Sequence, residues 1–137
     1  MTKARPLIAV VDDDDSMRIA LRRFLRSANL DAETFPSGAE FLESLQTHQP
    51  DCVVLDLHML GIDGFAVQAR LVEMGIGLPV IVITGRDSAE TRERALANGA
   101  SAYLPKPVDG QTLLDAISTA IAHRSEPSTP AAKNQSG

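Results

Sequence analysis

The sequence predicts an α/β protein: a doubly wound parallel sheet of five strands with helices on both faces. Three observations carry that prediction. A short apolar run followed by a stretch with 3.6-residue hydrophobic spacing recurs five times along the chain. Three of the runs, LIAVV (7–11), CVVLD (52–56) and PVIVIT (79–84), are apolar almost throughout, as strands covered on both faces must be. The connections are short, and 137 residues suit one domain with a sizeable core.

The first run ends in four consecutive aspartates, Asp12 to Asp15. Met17, Ala20, Leu21, Phe24, Leu25 and Ala28 then recur at helical spacing, which predicts a helix over about 16–28 with Arg18, Arg22, Arg23 and Arg26 on its wet side. Asp14 or Asp15 is expected to cap it. AETF (32–35) alternates and reads as an edge strand. Ser37 caps a helix to about Gln46, with Glu40 completing a capping box. The run CVVLD follows Pro50, and after the loop LHMLGIDG a helix runs from Phe65 to about Met74. Beyond PVIVIT, the helix Ser88 to Asn98 has a thin apolar face, Ala95 and Leu96, and Gly99 stops it. SAYL (101–104) is the fifth strand. Leu113, Ala116, Ile117, Ala120 and Ile121 mark the last helix, opening near Asp109. Leu114 falls off that stripe and is expected to be exposed, suited to a partner. A domain is expected over residues 1–123. The remainder, RSEPSTPAAKNQSG (124–137), is too polar to bury a core and is expected to be disordered.

Composition excludes several classes. A formal charge of −5, with its 13 basic residues spread out, argues against a nucleic-acid surface. No apolar run approaches the ~18–20 residues of a membrane span, and the N-terminus lacks the apolar core of a signal peptide. The single cysteine, Cys52, permits no intrachain disulfide; it reads as a small buried hydrophobe, and a cytoplasmic location fits best. His48 and His123 show no metal-ligand spacing and are expected to be solvated.

In an open parallel sheet, ligands sit outside the carboxyl ends of the strands. The first strand ends in Asp12 and Asp13, the third in Asp56 and the fourth in Thr84; Lys106 follows the fifth, just before Pro107. Three carboxylates, a hydroxyl and an ammonium thus meet at one edge. Carboxylates brought together at low dielectric repel, and a hard divalent cation relieves that repulsion. Oxygen ligands without His or Cys suit Mg²⁺, which keeps waters and leaves room for a phosphoryl group. Asp14 and Asp15 fall at the helix start, where the macrodipole favours negative charge.

The segments VVDDDDSMRIALRRFL, VVLDLHMLGIDGF, VIVITG and ASAYLPKP, in this order and at this spacing, resemble the signature segments of response-regulator receiver domains over about residues 7–123. The resemblance implies a flavodoxin-like (βα)5 fold with strand order 2-1-3-4-5. It implies Asp56 as acceptor of a phosphoryl group from a phosphohistidine of a sensor histidine kinase or phosphotransfer protein. Mg²⁺ would be held by Asp13 and Asp56, by the His58 backbone carbonyl, and by Asp12 through water. Lys106 and Thr84 would bind phosphoryl oxygens, Tyr103 matches the aromatic switch position, and Lys106–Pro107 matches a cis peptide. His58 and Arg86, two residues past Asp56 and Thr84, flank the approach of hydrolytic water and are expected to tune the phosphoryl lifetime. The readout is expected on the face of the fourth helix, fifth strand and fifth helix, toward a downstream partner, a missing effector domain or a second copy. One departure is Leu60, where the family usually has proline; it leaves the loop freer and an N–H to satisfy.

Parts of the same pattern also occur in other classes. A Mg²⁺-dependent hydrolase of the haloacid-dehalogenase type also uses a strand-end aspartate, but wants a second acid two residues on, where His58 stands. A calcium loop beginning at Asp12 fails, because Met17 occupies the glycine position and Arg23 the final glutamate. A receiver-like domain that has lost its site is disfavoured by the complete acid set.

Overall fold

The computed structural model describes residues 5–125. The elements run β1 (Leu7–Val11), α1 (Asp15–Ser27), β2 (Asp31–Phe35), α2 (Gly38–Ser44), β3 (Cys52–Asp56), α3 (Gly64–Glu73), β4 (Val80–Thr84), α4 (Ala89–Ala97), β5 (Ala102–Pro105) and α5 (Gly110–Ser125). All strand pairs are parallel, in the order β2-β1-β3-β4-β5. This is the predicted (βα)5 architecture.

The three central strands bury both faces because both are apolar. Ala9, Val11, Val53, Leu55, Val80 and Val82 point to one layer, where Phe41 and Leu42 of α2, Val67 and Leu71 of α3 and Ala95 of α4 pack. Their neighbours Ile8, Val10, Cys52, Val54, Ile81 and Ile83 point the other way, onto Leu21 and Leu25 of α1 and Leu113 and Ile117 of α5. Each fully buried large side chain contributes about 1.5–3 kcal/mol. Cys52 lies in this second layer, and burial pushes its thiol up to about 12, so it remains an unreactive small hydrophobe.

Helix ends follow the sequence signals closely. The Asp14 carboxylate accepts from the N–H groups of Ser16 and Met17, so of the two expected candidates Asp14 is the cap. Ser37 and Ser88 cap α2 and α4 by accepting from Glu40 and Thr91 N–H, and Gly99 (φ +100°) ends the α4 segment. The Glu40 carboxylate meets the Ser37 hydroxyl at 3.5 Å.

Four expectations are corrected. α5 continues through Ser125, because the apolar stripe of Leu113, Ile117 and Ala120 carries it along the sheet; the rest of the expected tail, 126–137, lies outside the described residues. Leu114 is half-buried on the α1–α5 layer rather than exposed. Leu96 is 41 % exposed, which leaves Ala95 as the buried residue of α4. Arg18, placed on the wet side of α1, is mostly covered and reaches back to the end of β1.

Candidate functional site

Parallel register sets the strand ends level. Val11 pairs with Leu55, Asp56 with Ile83, and Thr84 with Pro105. Asp12, Asp56 and Thr84 are therefore delivered to one edge, and the Lys106 N–H donates to the Thr84 carbonyl at 2.7 Å. The Lys106–Pro107 peptide is cis, as the family resemblance implied. Asp12 (0 % exposed) and Asp56 (4 %) are buried, whereas Asp13 is exposed.

One carboxylate oxygen from each of Asp12, Asp13 and Asp56 falls within 4.8 Å of the others. The Lys106 ammonium bridges two of them, 3.1 Å from Asp12 Oδ2 and 3.7 Å from Asp56 Oδ2. Each acid also accepts a backbone N–H: Asp12 from Asp14 (3.0 Å), Asp13 from Leu60 (2.9 Å) and Asp56 from His58 (3.3 Å). Burial first, and then the Asp12 charge, push Asp56 up to about 6, against the pull of Lys106 and the His58 N–H. Near pH 7 Asp56 is thus mostly an ionised carboxylate with a relievable repulsion beside it. The donor set fits a hard cation: all oxygen, converging, and under-compensated by one ammonium.

Backbone packing fixes the loop after β3. A Cβ on Gly64 would meet the Asp56 carbonyl oxygen at 2.6 Å and Leu57 Cα at 2.7 Å, so only glycine lets α3 begin against the acid-bearing strand. The Gly64 N–H donates to the Leu57 carbonyl at 3.0 Å.

The sequence-predicted residues beyond the acids also gather here. Thr84 is buried; its hydroxyl lies 3.1 Å from His58 Nδ1 and accepts from the Arg86 N–H at 3.0 Å. With Arg86 as donor, the hydroxyl proton is free to point at the imidazole. Tyr103, 6 % exposed, is packed in the α2–α3–α4 layer. Its hydroxyl donates to Asp87 Oδ1 at 2.8 Å, and burial followed by that bond raises its pKa.

Several contacts escaped the sequence reading. Arg18 Nη1 donates to the Asp12 carbonyl at 2.7 Å and pairs with Asp15, bracing the end of β1. Arg94 stacks over Phe65 at 3.9 Å, and Gln68 donates to the Ala95 carbonyl at 3.0 Å, tying α4 to α3. Their only sequence signal is position on facing helices, which becomes visible once the fold is known. His48 pairs with Glu33 at 2.8 Å, and His123 Nδ1 lies 2.9 Å from the Thr119 carbonyl; both are exposed and remote from the acids.

The chain matches the response regulator receiver domain family over residues 8–118. This chain belongs to that family. The receiver domain is 38 % identical over 126 residues to the DNA-binding transcriptional regulator NtrC of Escherichia coli K12, covering 92 % of this chain and 27 % of that one. It is 45 % identical to a solved response regulator receiver protein from Burkholderia phymatum, with a TM-score of 0.77 over 86 % of this chain and 96 % of that one. A Francisella receiver domain superposes with a TM-score of 0.84 at 26 % identity, covering 88 % of this chain and all of that one. The chain spans about a quarter to a half of the length of the curated relatives it matches. Receiver domains of response regulators are not an enzymatic family, and these likenesses give no support to a haloacid-dehalogenase hydrolase. Among the described residues no helix is long and apolar enough to cross a membrane.

Proposed function

We propose that the receiver domain, residues 1–123 by the sequence reading, accepts a phosphoryl group on Asp56 and signals its presence through α4, β5 and α5. The observation that supports this best is the buried Asp56 carboxylate, raised to about 6 beside Asp12 and facing Lys106 at 3.7 Å. An Asp56 oxygen attacks phosphorus, an acyl phosphate P–O bond forms, and the P–N bond to the donor's histidine breaks. The leaving nitrogen keeps the electron pair, and a proton on the other ring nitrogen of the donor's histidine makes the leaving group a neutral imidazole. Asp13, Asp56 and the His58 carbonyl would hold Mg²⁺ directly and Asp12 through water; the ion supplies neutralisation of the phosphoryl oxygens. Lys106 pairs with one phosphoryl oxygen. Thr84 donates a hydrogen bond from its hydroxyl to another, and to do so leaves His58 Nδ1.

The switch then runs through bonds this chain already holds. Movement of Thr84 shifts the Gly85–Asp87 segment, which carries the acceptor of the Tyr103 hydroxyl. Loosening the Tyr103–Asp87 bond frees α4, whose buried anchor is the small Ala95. His58 and Arg86 sit where they tune the lifetime of the acyl phosphate. The donor is a sensor histidine kinase or phosphotransfer protein. The output is a downstream protein, an effector domain or a second phosphorylated copy; the charge of −5 disfavours direct nucleic-acid contact, and the reactions belong in the cytoplasm.

Acetyl phosphate with and without Mg²⁺, read by intact mass, tests the proposal. One phosphoryl group is expected only with Mg²⁺, and none on D56N. Equal labelling of D56N would end the assignment.

A further inference from the structure

Asp12 and Asp56 take their backbone hydrogen bonds from two residues further along their own loops. Asp13 takes its bond from Leu60, 47 residues away, and this links the loop after β1 to the loop after β3. It matters most for Asp13, because that carboxylate is exposed and has no ammonium partner among the described residues. Of the six carboxylate oxygens at the site, Asp13 Oδ1 is the one with no hydrogen-bond or ion-pair partner among the described residues. An untethered surface carboxylate would lose rotamer freedom on binding a cation, at a cost to affinity. The Leu60 N–H removes that cost in advance by occupying Oδ2 and leaving Oδ1 open. Proline has no N–H and could not do so. The Leu60 side chain is 85 % exposed and is not needed for the bond.

We infer that Leu60 is a positioning residue for the cation site, acting through its backbone N–H on Asp13 and clasping the two acid-bearing loops together. This rests on the Mg²⁺ site proposed above.

The test is Mg²⁺ titration of the full chain, followed by amide NMR shifts. L60P, which lacks the N–H, is expected to bind Mg²⁺ about 3–10-fold more weakly. L60A keeps the N–H and is expected to bind as the parent does. A parent that shows no Mg²⁺ binding removes the site reading and this inference with it. A parent that binds, with L60P indistinguishable from L60A, overturns the inference alone. A second measurement does not depend on proline being tolerated. The Leu60 amide of the parent should be protected from hydrogen exchange, and that protection should disappear in D13A; an unprotected parent amide, or one equally protected in D13A, overturns the clasp.

Discussion

α1 and α4 leave the same edge of the sheet, each after a strand that delivers a site residue, yet they are fastened differently. α1 has 13 residues, sinks Leu21 and Leu25 into the core, and is braced at its start by the Asp14 cap and by Arg18 on the Asp12 carbonyl. α4 has 9 residues and buries only Ala95. Its other ties are directional: Gln68 on the Ala95 carbonyl, Arg94 over Phe65, and Arg92 5.7 Å from the Tyr103 ring centroid. Apolar burial scales with area, so two leucines outweigh one alanine by a few kcal/mol. Hydrogen bonds and cation–π contacts contribute about 1 kcal/mol each and can be exchanged for others. The α1 side is therefore suited to hold acids in place, and the α4 side to move when the site changes.

The largest expected effect breaks or upholds that contrast directly. L25A should lower unfolding free energy by about 2–5 kcal/mol, whereas L96A on α4 should stay within about 0.5 kcal/mol. Urea unfolding measures both, and similar losses in the two variants would contradict the contrast.

A smaller effect sharpens the rigid side. If the β1 end cannot relax, Asp56 stays buried and keeps its repulsion with Asp12, burial being the larger of the two effects. The folded protein then binds the Asp56 proton more tightly than the unfolded chain does, with a pKa of about 6 against 3.8. This group withdraws stability as pH rises from about 4 to 6, by about 1–3 kcal/mol in all. Unfolding curves at pH 4, 5, 6 and 7 without Mg²⁺ should show that D56N loses this downward slope. The same slope in parent and variant would mean that a group other than Asp56 carries it.

The smallest effect probes the α4 side. Y103F removes the hydroxyl that donates to Asp87 and should cost about 0.5–1.5 kcal/mol. Its signature is location: faster amide exchange over residues 87–98, with α1 unchanged. Uniform acceleration across the chain would mean that the Tyr103–Asp87 bond supports the whole fold rather than α4.

Much of this protein is determined by its sequence alone. LIAVV, CVVLD and PVIVIT state a sheet buried on both faces, because such runs leave no side for water. Asp14, Ser37, Ser88 and Gly99 mark helix ends through backbone chemistry that is local. Asp12, Asp13, Asp56, Thr84 and Lys106 were legible as one cluster, since parallel strands present their carboxyl ends together. The tertiary structure alone decided which groups touch within that cluster. Helical periodicity put Arg18 on the wet face, but the turn at Asp12 to Asp14 brings a carbonyl within its reach. Leu114 and Leu96 exchange their expected exposures because burial depends on the neighbouring helix, not on a residue's own stripe. Leu60 could be read only as a freed N–H; that it finds Asp13 depends on two loops separated by 47 residues. Local signals come from spacing along one chain segment, whereas these contacts come from distances between segments, which register and packing set and no single stretch of sequence encodes.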